Sequence, residues 1–207
     1  MKILSVLAAI ALSTSAATAA TLTFDGDICG GAACNDSNLI DQSYGDIAGE
    51  VDVQYDADRG TVALENLKAW NVNYETLVDV AYSLNSGAGM AIDFVAAAGY
   101  SVSLGGFDIA PYANRVRDTR VVIKDLAGGT LFDSGVFTAS TAGVTSYSFG
   151  YTSNVGLRIE FGPDSWDVGI DNIEYNTAQI NAVPLPAAGW MLIAGVGGLM
   201  AMRRRKS

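Results

Sequence analysis

Along the middle of the chain, apolar and polar residues alternate with a period of two. Val51, Val53 and Tyr55 share one parity, and Asp52 and Gln54 take the other. Leu157, Ile159 and Phe161 alternate with Arg158 and Glu160, and Tyr147, Phe149 and Tyr151 alternate with small residues. Val121 and Ile123 lead a further run ending near Asp125, after which Gly128 and Gly129 turn the chain into Leu131 and Phe132. Successive side chains of a strand point to opposite faces, so each run describes a strand with one buried face. Gly, Asn, Asp and Ser clusters separate the runs, which predicts an all-β fold, an antiparallel β-sandwich. Between residues 21 and 182 no helical periodicity of useful length is present.

Two places break the alternation. Gly105 and Gly106 lie between two alternating stretches, where glycine marks a bulge or a corner at which a strand changes sheets. From residue 168 to 175 the phase changes: Val168 and Ile170 hold one parity, Ile173 and Tyr175 the other. One extra residue around Asp171 and Asn172 reconciles them, which predicts a bulge there.

The two ends follow other rules. Lys2, an apolar run over residues 3–12 and a small-residue stretch over 13–20 form the charge, core and Ala-x-Ala order of a secretory signal peptide. Cleavage is expected after Ala19 or Ala20, giving a leader of residues 1–20. Ten apolar residues are too few to span a bilayer, which disfavours a membrane helix here. At the other end an uncharged run over 188–202 precedes Arg203, Arg204, Arg205 and Lys206. Residues 185–202 as a helix reach about 27 Å, close to the hydrocarbon thickness of a membrane. The basic cluster orients such a helix with its end in the cytoplasm and the preceding domain outside. Pro184 and Pro186 keep the segment before it extended, as a protease requires. A plain tail anchor is the alternative.

Composition then narrows the function. The ends hold five of the twelve basic residues and none of the twenty-two acidic ones. The domain between them therefore has seven basic against twenty-two acidic residues, a balance of −15. Such a charge argues against nucleic acid and anionic membrane surfaces as partners, since both are bound through Lys and Arg. There is no histidine, which removes Ser-His-Asp and Cys-His nucleophiles and most zinc sites. Cys29 and Cys34 flank a short loop, and in an exported chain they read as a disulfide.

Val183-Pro184-Leu185-Pro186-Ala187, the Gly/Ala-rich helix and the Arg cluster resemble the VPLPA variant of the PEP-CTERM sorting signal. That resemblance implies processing by an exosortase, an integral-membrane cysteine protease or transpeptidase. The partners it implies are the signal peptidase and export machinery, the exosortase, and the inner membrane during sorting. The domain, taken as residues 21–178 with linker and signal over 179–207, resembles the PEP-CTERM jelly-roll proteins. The resemblance rests on Phe24-Asp25, residues 42–46, 105–110, 131–135 and 168–173. These proteins are similar in turn to galactose-binding-like and carbohydrate-binding-module sandwiches.

In such jelly rolls a structural calcium ties the first strand to the last, and Asp25 and Asp171 are the matching acidic positions. Ca²⁺ takes six to eight oxygens and tolerates irregular geometry. Asp27 offers a third carboxylate, although Asp25-Gly26-Asp27 is too short for an EF-hand loop. The alternative reading takes both aspartates as turn or capping residues bonded to backbone amides. Sugar binding requires aromatic faces with polar groups beside them. Trp166, Tyr112 and Asn114 are the candidates, with Trp70 and Tyr74 beside them, and each is also a plausible core residue of the sandwich end. A pair of carboxylates can cleave glycosides, but among so many acids none is singled out. The expectation is an exported, non-catalytic protein of the cell surface or extracellular matrix that contacts polysaccharide. A structural, self-associating matrix component is the alternative.

Overall fold

A computed structural model describes residues 17–31, 34–59, 65–83 and 89–180. The described residues form thirteen strands: β1 (Ala17–Leu22), β2 (Val51–Asp56), β3 (Lys68–Trp70), β4 (Val80–Tyr82), β5 (Met90–Ala96), β6 (Tyr100–Pro111), β7 (Arg117–Thr119), β8 (Val121–Asp125), β9 (Thr130–Asp133), β10 (Phe137–Ala139), β11 (Thr145–Ser153), β12 (Gly156–Phe161) and β13 (Val168–Gln179). The only helical element among the described residues is a 3₁₀ turn, Tyr112–Asn114. The remaining leader residues, the sorting motif Val183–Ala187 and the expected membrane helix lie outside the described residues.

Two antiparallel sheets make a sandwich. One runs β11-β6-β13-β4-β3, with β1 also on β13, and the other runs β2-β5-β12-β8-β9. The runs read from the sequence supply the inner faces: Val51, Val53, Tyr55, Val121, Ile123, Leu157, Ile159 and Phe161 are all buried. Phe94 of β5 meets Tyr175 of β13 across the interior with ring centroids 4.9 Å apart. At the edge, Phe132 of β9 closes on Phe149 of β11 at 5.2 Å. Cys29 and Cys34 are bonded, as their spacing predicts.

Both irregularities are bulges. Register shifts on β6 and β13 place Gly105 opposite the break between Glu174 and Tyr175, and the strand stays in one sheet. A Cβ on Gly106 would lie 2.3 Å from the carbonyl oxygen of Tyr147, so glycine is required where β11 crosses close. The second break falls between Asp171 and Glu174, and Asn172 takes a left-handed φ of 52°.

β1 begins at Ala17 and pairs with β13 from Ala17 opposite Ala178 to Leu22 opposite Ile173. The leader boundary expected at residue 20 therefore falls inside this strand.

Candidate functional site

Three connections converge at one end of the sandwich. Residues 71–79 link β3 to β4, residues 112–116 follow β6, and residues 162–167 lead into β13. Main-chain bonds hold them together: Tyr112 N–H to Asp167 O at 2.6 Å, Ala113 N–H to Asn73 O at 2.8 Å, and Ser83 N–H to Ser165 O at 2.9 Å. Arg117 adds charge, with its Nε 2.7 Å from Asp167 and 3.7 Å from Asp164. One cation thus offsets the repulsion between the two carboxylates of this turn.

A cleft of about 50 Å³ opens here, walled by Trp70, Tyr74, Tyr82, Tyr112 and Trp166. Trp70 meets Tyr82 and Tyr112 edge-on, with centroids 5.9 and 5.6 Å away. Tyr74 packs against Tyr112 at 5.2 Å. Burial drives the Tyr74 hydroxyl far above its ordinary value, so it stays a neutral donor. Trp166 stands at the rim, 51 % exposed. Four of the five walls were candidates in the sequence. Tyr82 was missed because its three-residue strand is too short to show a face. Asn114 ends the 3₁₀ turn beside Tyr112, and its side chain lies outside what is described.

Two polar atoms in this region are buried without a hydrogen-bond partner among the described residues: Trp70 Nε1 and Glu75 Oε1. An unpaired buried polar atom costs about 1–3 kcal/mol. Such atoms are rare in folded proteins.

The second sequence candidate is a carboxylate group at a gap in the sheet. β4 and β1 share one edge of β13, which they leave between Ile170 and Ile173. The bulge residue Asp171 sits at that gap, 4 % exposed. Asp25 follows β1 and Asp79 precedes β4. Burial raises the Asp171 carboxyl to about 7, and the charges of Asp108, Asp79 and Asp25 push the same way against the Asn172 N–H bond. Phe24 and Asp79, like Asn172, have left-handed backbones, with φ of 51° and 61°. The charge of Asp25 is thus felt at Asp171, together with those of Asp79 and Asp108. Asp27 accepts a bond from Gly31 N–H at 2.9 Å instead. The donor chemistry, all oxygen, suits Ca²⁺. Among the described residues no three His, Cys, Asp or Glu side chains are grouped closely enough to hold a metal ion.

Set against protein-family models and against curated proteins, the chain finds no match in either.

Proposed function

We propose that the protein is an exported, non-catalytic module that binds polysaccharide at the cell surface or in the extracellular matrix. The aromatic cleft carries this reading. Exposed Trp166 offers a flat apolar face, the other rings offer edges, and Asp164, Asp167 and Arg117 supply polar groups beside them. Sugars are bound by this combination, since their C–H faces stack on rings while their hydroxyls need polar partners. The chain passes from one sheet to the other at most of its connections, in keeping with a jelly-roll course related to carbohydrate-binding modules. Leader and sorting signal, read from the two ends, make the signal peptidase and an exosortase its processing partners, with the inner membrane as a way station.

A structural Ca²⁺ is part of the proposal. It rests on the family resemblance, which puts Asp25 and Asp171 at the matching positions, and a cation there would offset the burial and the neighbouring charges that raise the Asp171 carboxyl. Its role would be to pin β1 and β4 to β13.

A glycan array probed with the exported protein tests the function. Binding that falls at least tenfold in Trp166→Ala, with melting unchanged, supports it. Concentration-dependent assembly with no glycan bound would point instead to a self-associating matrix component, and turnover of polysaccharide to an enzyme. Mass spectrometry of the mature C-terminus tests the sorting: a tail intact through Lys206 in the inner membrane would overturn processing.

A further inference from the structure

The few cations of the domain are not spread over its surface. Four of its seven basic residues, Arg59, Arg120, Lys124 and Arg158, gather at the outer face of the second sheet. A cleft of about 240 Å³ opens there, lined by Arg59, Arg120, Lys124, Asp133, Glu160 and Gly162. A Cβ on Gly89 would lie 2.7 Å from Arg59 Nη2, so glycine there leaves the guanidinium its place.

Charge does not balance in this cleft. Arg120 pairs with Asp133, and Arg158 pairs with Asp93. Glu160 alone then serves two cations, Arg59 Nη1 at 2.6 Å and Lys124 Nζ at 2.7 Å, with Arg158 Nη1 a further neighbour at 3.9 Å. The three cations and two carboxylates of the lining sum to 3 − 2 = +1, inside a domain of −15. Ion pairs that reach solvent contribute little to stability, so holding the sheet together gives no reason for the surplus cation. An ammonium carries three N–H donors. Lys124 spends one on Glu160, and its side chain remains 40 % exposed, beside that of Arg120 at 46 %. One further anionic oxygen group, accepting from Lys124 and Arg120, completes the set.

The rest of the domain limits the size of that anion. Its acidic surface repels an extended polyanion, while the cluster acts within a Debye length, about 8 Å at physiological salt. A single charge on an otherwise neutral chain satisfies both. The cleft also lies close to the aromatic one: Gly162 lines the first and Trp166 the second, and four residues of chain reach at most about 14 Å. A short oligosaccharide is long enough to touch both.

We infer that the basic cleft is a second saccharide subsite, taking a sugar that bears one anionic group, the carboxylate of a uronic acid or a sulfate ester. The inference rests on the glycan-binding reading above and names its ligand class. Trp166 stacks on a ring of any sugar, and Lys124 with Arg120 selects the charged one.

The test titrates the exported protein with three probes that differ in one substituent: cellobiose, cellobiouronic acid and cellobiose 6′-sulfate. One or both acidic probes should bind about tenfold more tightly than cellobiose, the worth of one charge-assisted hydrogen bond. Which of the two binds identifies the anionic group. Lys124→Gln should bring the acidic probes down to the affinity of cellobiose, whereas Trp166→Ala should weaken all three alike. Should the Lys124 variant be unfolded by its melting curve, Arg120→Gln replaces it. Added NaCl should weaken the acidic probe and leave cellobiose unchanged. Equal binding of the three probes, a preference that survives both Lys124→Gln and Arg120→Gln, or acidic binding that salt strengthens overturns the inference and spares the glycan reading. If no probe binds and the glycan array is also blank, the glycan reading falls and takes the inference with it.

Discussion

The Tyr74 hydroxyl donates to the main-chain carbonyl of Trp166 at 3.1 Å, joining two residues ninety-two positions apart. The bond fixes the turn that presents the most exposed aromatic ring of the cleft. Tyr74→Phe retains the packing against Tyr112 and loses only this bond. Stability should fall by about 1 kcal/mol, read by urea denaturation, and affinity for a bound glycan should drop several-fold as the Trp166 turn loosens.

Asp171 gives stability a pH dependence of definite sign. Burial first, and neighbouring carboxylates after it, hold its folded-state carboxyl at about 7, well above the ordinary carboxylate range. Below about 4 both folded and unfolded states hold the proton. As pH rises toward 7, the unfolded chain ionises first, so stability declines, and it is flat beyond. Asp171→Asn should therefore match the wild type at pH 4 and melt roughly 4 °C higher at pH 8, a difference of about 1–2 kcal/mol. Added CaCl₂ at pH 8 should raise the wild-type melting temperature and leave the variant unaffected. Scanning calorimetry at the two pH values, with and without the ion, decides both points.

Glu160 is the anchor of the charged outer face of the second sheet. Its side chain is 8 % exposed and receives Arg59 at 2.6 Å and Lys124 at 2.7 Å. Removing it leaves Arg59 and Lys124 unpaired, although both reach solvent, at 27 % and 40 % exposure. Glu160→Ala should destabilise by about 1 kcal/mol, since charge-assisted hydrogen bonds are lost without leaving a buried charge behind. Asp133, paired with Arg120 at an exposed position, should give almost no change when replaced by Asn. Thermal melts of the two variants side by side provide the comparison.

The position of the leader cut has a stability consequence. A chain that starts at Thr21 lacks Ala17, Thr18, Ala19 and Ala20, four of the six β1 pairs with β13. Tyr175 and Thr177, both buried, then lose their cover on that edge. A protein starting at Ala17 should be more stable than one starting at Thr21 by about 1–2 kcal/mol. Refolding both and comparing denaturant midpoints measures it, and amide exchange at residues 175–178 should speed up in the shorter one.

Sequence alone determined those strands whose residues alternate, and their faces. Alternation is a local property, so Val51-Val53-Tyr55 and Leu157-Ile159-Phe161 declare their inner sides without knowledge of any partner. The bulge at Asp171 and Asn172 was equally legible, because a phase change along one strand needs no neighbour to be seen. The choice at Gly105 and Gly106 between bulge and corner was settled only by β11 and β13 lying alongside. Trp70, Tyr82, Tyr112 and Trp166 come from four separate segments, and nothing local says that they meet. Asp79 and Asp108 joined Asp171 for the same reason: β4 and β6 flank β13 by sheet order, which is fixed by packing over long sequence separations. Residue types set what each position can do, and only the tertiary structure decided which of them share a cleft.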